Sequence, residues 1–114
     1  MESVLIAGAG PVGLTTALLL ANWQIPTVVL EAASGHQDIG SRAICFQRDV
    51  LDILDRIGVA DALIAEGVTW ITSRTFYGRH QLFTVSFDDP EPDQTPPWIN
   101  VSQDSLERHL LAKT

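Results

Sequence analysis

The sequence predicts an α/β fold, and three segments at the start of the chain carry this prediction. A short apolar run with β-branched residues, Val4–Ala7, precedes a segment from Pro11 in which apolar residues recur at helical spacing. Pro26 ends the helical pattern, and a second β-rich run, Thr27–Leu30, follows. Two apolar strands joined by a helix imply a parallel pair with a right-handed crossover. We therefore predict a partial Rossmann-like βαβ unit.

Three further helices are predicted after this unit. Residues 47–57 carry apolar side chains on one face and charged side chains largely opposite. Gly58 is suited to end this helix in the left-handed conformation. Residues 59–66 predict a short helix and residues 104–113 a final one. We expect Asp104 to cap the final helix, because a glutamate three residues later completes a capping-box pattern.

The second half of the chain also predicts β structure. Residues 70–77 and 81–87 are rich in aromatic and β-branched side chains, which predicts a β-hairpin. Residues 88–97 hold four acidic residues and four prolines, so we expect a loop there. Residues 98–101 predict a short strand, and residues 32–46 are predicted to be a loop. The whole chain is therefore expected to add helices and a β-hairpin to the βαβ unit.

Composition limits the classes of function. The chain has 114 residues, which suits one domain, and 46% of them are hydrophobic. A net charge of -7 with scattered basic residues argues against a nucleic-acid partner. Cys45 is the only cysteine, which excludes an internal disulfide, and the three histidines lack metal-ligand spacing. No apolar run approaches the roughly 20 residues of a membrane span. We expect a soluble, cytoplasmic protein without a metal site.

The candidate functional motif is the glycine-rich turn between the first strand and the first helix. It has the pattern G-x-G-x-x-G, with a strand before it and a helix starting inside it. Gly8 would permit the tight turn, Gly10 would let a pyrophosphate approach the backbone, and Gly13 would let the helix lie close to the sheet. Pro11 and Val12 begin the helix, whose first N–H groups would face the phosphates. The motif predicts a dinucleotide site, unless these glycines mark only a tight turn.

The second strand ends in an acid that completes the pattern. Glu31 lies 18 residues beyond Gly13, where a carboxylate can accept hydrogen bonds from both ribose hydroxyls of an adenosine. It would repel a 2′-phosphate, so FAD or NAD is favoured over NADP. Ala32, directly after it, belongs to the same predicted set. The alternative is that Glu31 is merely a solvated acid. No glycine follows the helix, so Asn22 or Gln24 would take the left-handed turn, at about 1 kcal/mol relative to glycine.

Residues 4–14, which include the run Gly-Pro-Val-Gly-Leu, and residues 28–31 resemble the start of the flavin-dependent aromatic hydroxylases, the para-hydroxybenzoate hydroxylase group. Within that group the sequence looks closest to the phenol, resorcinol, hydroxyphenylpropionate and polyketide hydroxylases. Two later segments are similar to the family as well. They are the Ser-Arg-Ala run around Arg42 and the segment from Ile99 to Gln103.

The resemblance implies roles for two of these residues. Arg42 would reach the pyrophosphate region of FAD, and Gln103 would touch the ribityl or phosphate part. The residues alone leave alternatives open, because Arg42 suits phosphate but also a solvated surface, and Gln103 can be an ordinary helix-start residue.

The resemblance further implies FAD as cofactor, with NAD(P)H and O₂ used in the hydroxylation of an aromatic small molecule. The family's later segments, including its substrate domain, have no counterpart here. We therefore expect residues 1–114 to be the incomplete N-terminal portion of an FAD-binding domain, not catalytic alone, and name no catalytic residue. An incomplete sheet also favours self-association. Two alternatives stay open: an NAD-binding dehydrogenase or reductase module, and a truncated non-catalytic interaction protein.

Overall fold

The fold was obtained as a computed structural model that describes residues 2–35 and 44–114. Its elements follow in chain order: β1 (Val4–Ala7), α1 (Pro11–Asn22), β2 (Thr27–Leu30), β3 (Cys45–Gln47), α2 (Arg48–Asp55), α3 (Ala60–Glu66), β4 (Val68–Trp70), β5 (Thr72–Tyr77), β6 (His80–Ser86), β7 (Trp98–Asn100) and α4 (Gln103–Lys113). The mixed α/β class is confirmed.

The N-terminal βαβ unit is confirmed in detail. Strands β1 and β2 pair in parallel, with Val4 opposite Thr27 and Ala7 opposite Leu30. Helix α1 connects them and starts at Pro11, the position where a missing backbone N–H costs least. This arrangement places the glycine-rich turn and the end of β2 at the same edge of the two strands.

The remaining strands form two antiparallel sheets. Strand β7 is the middle strand of one sheet, between β3 and β4, and the hairpin β5–β6 is the other. The hairpin that was predicted from the aromatic and β-branched residues is confirmed. It begins at Thr72 rather than at Trp70, because Trp70 belongs to β4 and pairs with Trp98. The predicted loop over residues 32–46 was wrong at its end, because Cys45 already pairs with Asn100 in β3. A strand of three residues is too short to produce a period that the sequence can reveal.

The start of α4 corrects a second prediction. Ser102, not Asp104, is the N-cap, and its hydroxyl accepts a hydrogen bond from the Asp104 N–H at 3.2 Å. Ser102 has the extended backbone of a capping residue, so the helix begins earlier than the capping-box pattern indicated. Gln103 is therefore the first residue of α4.

A helical core joins the two halves of the described chain. Leu14 of α1 is buried against residues from α2, α3, β7 and α4. The residues that are nearly inaccessible at its centre are Leu51, Val59, Leu63, Ile99 and Leu110. Gly58 follows α2 and has φ +74, the left-handed conformation that was predicted. It lets the chain turn directly into α3. This core fixes α1, and hence the glycine-rich turn, relative to α4.

The parallel strands themselves are less covered than their apolar sequences predicted. Ile6 and Val29 are half-buried, whereas Leu5 is 67% exposed and Leu30 is 56% exposed. Successive side chains of a strand point to opposite faces, and α1 covers only one face of this pair. The described residues therefore leave an apolar surface on the other face, formed by Leu5, Val28 and Leu30.

Helix α1 ends in a strained turn. The N–H of Ile25 donates to Leu20 O at 3.0 Å, the N–H of Gln24 donates to Ala21 O at 2.9 Å, and Gln24 has φ +56. These bonds form a Schellman motif, which usually has glycine at the left-handed position. Gln24 therefore takes the turn for which no glycine is present, one of the two positions predicted.

We expect Gln24→Gly to raise the free energy of unfolding by about 1 kcal/mol, because glycine adopts positive φ without a Cβ clash. Chemical denaturation measures this difference. Ala21→Gly in the last turn of the same helix is the matched control and should lower stability by about 1 kcal/mol. Equal destabilisation by both substitutions would contradict the assignment of strain to Gln24.

Candidate functional site

The glycine-rich turn leaves β1 abruptly. The Gly8 N–H donates to Leu30 O at 2.7 Å, which extends the pairing of the parallel strands by one residue. Gly8 then has φ +109, a backbone conformation that residues with a Cβ rarely adopt. The chain can therefore turn from the strand into α1 within three residues.

Among the described residues, an open space lies beside Gly10. This residue is the N-cap of α1, with φ -79 and ψ -173, and a Cβ built on it would meet no atom of residues 2–35 or 44–114 within 4 Å. No side chain caps the helix, and its first turn contains no acidic residue. The first N–H groups of a helix have no partner inside the helix, and they carry the positive end of its dipole. The space beside Gly10 is thus bordered by backbone donors suited to an anion.

Gly13 makes the closest contact between helix and strand. A Cβ built on Gly13 would lie 2.0 Å from Gly8 O and 3.4 Å from Ile6 Cγ2. Only a residue without a side chain allows α1 to approach β1 this closely. The third glycine of the motif is therefore required by packing, whereas the second borders open space.

Glu31 directs its carboxylate at the glycine-rich turn. One carboxylate oxygen accepts a hydrogen bond from the Ala9 N–H at 2.6 Å, and the other accepts from the Ala33 N–H at 3.2 Å. The bond from Ala9, followed by the bond from Ala33, lowers the pKa of Glu31 below its ordinary value. The end of β2 thus presents an ionised carboxylate at the edge of the turn, where the sequence predicted one.

The structure brings part of the predicted set together. Glu31 is bonded to Ala9, which lies between Gly8 and Gly10, and Gly13 packs against Gly8, with Pro11 and the exposed Val12 at the start of α1. Ala32 follows Glu31 and is exposed. These positions agree with the expected arrangement of a dinucleotide-binding turn.

The two residues implied by the family resemblance have different outcomes. Arg42 lies outside the described residues. Gln103 is half-buried at the start of α4, where its side-chain nitrogen lies 3.4 Å from Glu107 Oε1. Helix α4 packs against α1, which places Gln103 on a helix adjoining the one that begins at the glycine-rich turn.

Two groups that the sequence did not reveal are the backbone N–H groups of Ala9 and Ala33. Both hold the Glu31 carboxylate, yet neither is visible as a residue type, because every non-proline residue carries the same donor. The only sequence signal is their position, inside the G-x-G turn and two residues after the acid.

Other candidates in the described residues have structural roles. Trp70 and Trp98 stack at 5.2 Å, and Phe87 meets both rings edge-on. Cys45 is exposed and its thiol lies 3.1 Å from Asn100 Oδ1.

Over residues 2–35 and 44–114, no three histidine, cysteine or acidic side chains cluster as a metal site. None of the described helices combines the length and apolar character that crossing a membrane requires.

Comparison with known proteins assigns the chain to a family. A family model described as "FAD binding domain" matches residues 1–114. The 6-hydroxy-3-succinoylpyridine 3-monooxygenase HspB of Pseudomonas putida is 38% identical over 115 residues, which cover 96% of this chain and 28% of the relative. The 6-methylpretetramide 4-monooxygenase of Streptomyces rimosus is 44% identical over 64 residues, covering 56% of this chain and 11% of the relative.

A solved structure shows the same architecture. The p-nitrophenol 4-monooxygenase PnpA of Pseudomonas putida DLL-E4 superposes with a TM-score of 0.85 at 26% identity, over 99% of this chain and 29% of that one. The chain thus spans less than a third of each of these three proteins. Because the family model covers every residue, the chain belongs to the FAD-binding-domain family.

Proposed function

We propose that this chain is the FAD-binding N-terminal portion of a flavin-dependent aromatic-ring monooxygenase that uses NAD(P)H and O₂. The observation that carries the proposal is the open space beside Gly10, bordered by the uncapped start of α1 and by the Glu31 carboxylate. HspB, the 6-methylpretetramide enzyme and PnpA are all named as monooxygenases, which supports this reaction class.

The described residues fit the ADP part of FAD. In the proposed complex, the diphosphate lies beside Gly10 and accepts hydrogen bonds from the first N–H groups of α1, at Val12 and Gly13. Pro11 starts the helix at this point without removing a needed donor. Gly8 turns the chain so that these donors face the space rather than the strand.

The acid at the end of β2 completes the nucleotide site in this proposal. Glu31 accepts hydrogen bonds from the ribose hydroxyls, with the backbone at Ala32 alongside. Arg42 contacts the pyrophosphate region and Gln103 the ribityl or phosphate part, as the family resemblance implies. A guanidinium group suits this task because it supplies several charged donors in a fixed plane.

FAD supplies the redox and oxygen chemistry, and the role of this chain is to bind and orient the adenine half of the cofactor. Hydroxylation also requires an aromatic ring held against the flavin with water excluded. We therefore propose that residues 1–114 are not catalytic alone and form an N-terminal part of an FAD-binding domain. The single cysteine is compatible with a reducing compartment, and we propose a cytoplasmic location.

The exposed face of the parallel strands supports a further part of the proposal, self-association of the 114-residue chain. Leu5, Val28 and Leu30 form an apolar surface, and paired strands with free edges are prone to associate. Size-exclusion chromatography should show a dimer or larger species whose share grows with concentration. A monomer at all concentrations would contradict this part.

Titration with FAD tests the function. We expect the chain, or a longer polypeptide that contains it, to retain a yellow chromophore after gel filtration and to quench the fluorescence of added FAD. NADH serves as the matched competitor, because it shares the adenosine diphosphate but carries no flavin. A colourless protein that binds NADH and does not bind FAD would favour a dehydrogenase or reductase module instead.

A further inference from the structure

Glu31 is bonded to the backbone on both sides of its carboxylate. Each carboxylate oxygen of Glu31 accepts one backbone hydrogen bond, from Ala9 at 2.6 Å and from Ala33 at 3.2 Å. A carboxylate has about four lone-pair sites, so acceptor capacity remains for a ligand. The side chain is exposed, and within residues 2–35 and 44–114 the Ala32 N–H adds a third, smaller backbone contribution to the two bonds from Ala9 and Ala33.

We propose that the N–H groups of Ala9 and Ala33 are positioning groups, which fix Glu31 in the conformation that recognises an unmodified ribose. The length of the side chain at position 31, and not only its charge, then determines how tightly adenosine diphosphates bind. This inference rests on the proposed function, because it concerns the same nucleotide site.

The physical reason is preorganisation. A free glutamate side chain samples many rotamers, and a ligand that binds it must meet the cost of ordering them. Here the two backbone bonds restrict the carboxylate to one arrangement, so a ligand meets a smaller ordering cost. An aspartate at this position would be shorter by one carbon–carbon bond, about 1.5 Å, and would leave the Ala9 N–H beyond hydrogen-bond distance.

The ionisation of Glu31 agrees with this geometry. The backbone bond from Ala9 is the largest cause that lowers its pKa, so the carboxylate stays charged at a lower pH than an ordinary glutamate. A charged acceptor binds hydroxyl donors more strongly than a neutral one. The same contact therefore sets both the orientation and the charge of the acceptor.

The experiment compares Glu31→Asp, which keeps the charge, with Glu31→Gln, which keeps the length. Calorimetry measures binding of ADP and of 2′,3′-dideoxy-ADP, which lacks the ribose hydroxyls, to the 114-residue chain. We expect Glu31→Asp to weaken ADP binding about tenfold and to leave dideoxy-ADP binding within twofold. Glu31→Gln should weaken ADP binding less than Glu31→Asp does. Glu2→Asp, at an exposed glutamate elsewhere, is the control and should leave the affinity for both ligands unchanged.

A spectroscopic readout in the ligand-free chain separates this inference from the proposed function. The Ala9 amide proton should resonate downfield, and its shift should titrate with Glu31 below the ordinary glutamate range. In Glu31→Asp it should return to the range of a solvated amide. Wild-type ADP affinity in Glu31→Asp, or an Ala9 amide that this substitution leaves unchanged, would overturn the inference. Failure of the wild-type chain to bind ADP or FAD would count against the proposed function, while the Ala9 amide would still decide the positioning contact.

Discussion

Gly10→Val is expected to abolish FAD binding, with a loss of affinity of at least about a hundredfold, while the fold survives. A Cβ at Gly10 meets no atom of the described residues within 4 Å, so the valine side chain enters the open space instead of the core. In the proposed complex the diphosphate occupies that space. Displacing the phosphates from two charge-assisted hydrogen bonds removes about 3 kcal/mol of binding free energy. This corresponds to about a hundredfold in affinity, because each 1.4 kcal/mol is a factor of ten.

The fold should tolerate this substitution because of the backbone at position 10. Gly10 has extended φ and ψ, which β-branched residues adopt readily. The loss of a glycine N-cap costs about 1 kcal/mol or less. Fluorescence titration with FAD measures the affinity and thermal unfolding measures the fold. Gly35→Val is the matched control, because Gly35 also has free space around it and should keep wild-type affinity. Wild-type FAD affinity in a folded Gly10→Val protein would refute the proposed diphosphate position.

Sequence reasoning succeeded where the chemistry of a single residue favours a particular local backbone conformation. Pro11 was suited to begin a helix, Gly58 to a left-handed helix end, and Glu31 to the end of the second strand, and the structure places each of them there. Each of these predictions depends on local backbone chemistry, which does not change when distant parts of the chain pack together. The βαβ unit was predictable for the same reason.

The missed features depend on partners distant in the sequence. Strand β3 exists because residues 45–47 pair with β7, more than fifty residues later, and a three-residue strand shows no period of its own. The Ser102 cap was missed for a local reason instead: its extended backbone and its bond from the Asp104 N–H place the cap two residues before the one that the capping-box pattern indicated. The Ala9 bond to Glu31 joins a backbone donor to a side chain 22 positions away, and no residue type signals it.

The exposure of β1 and β2 shows a limit of a different kind. A continuous apolar run indicates a strand buried on both faces, and that interpretation assumes neighbours on both sides. Among the described residues, α1 supplies a neighbour for one face only, so Leu5 and Leu30 stay exposed. The apolar pattern therefore indicates strands suited to burial on both faces. Residues 2–35 and 44–114 cover only one of these faces.

Gly13→Ala is expected to have the opposite effect to Gly10→Val, because it attacks the fold first. The new Cβ would clash with Gly8 O, well inside the 3.0 Å that real Cβ contacts essentially never cross. The obstacle is a backbone carbonyl on the residue that follows β1, so no side-chain rotation relieves it. Helix α1 must move away from β1, and this movement also disturbs Leu14, which α1 contributes to the buried core.

Gly13→Ala should lower the free energy of unfolding by about 3 kcal/mol, the upper end of the range for overpacking. This loss corresponds to about 10 °C in Tm for a domain of this size. Gly10→Ala is the matched control, since it adds the same methyl group to the same turn without a neighbour within 4 Å, and should cost about 1 kcal/mol or less. Thermal and urea unfolding of both variants measure the difference. If the two variants were equally stable, α1 would have to lie farther from β1 than the Gly13 contact requires, and the close helix start on which the diphosphate site depends would be wrong.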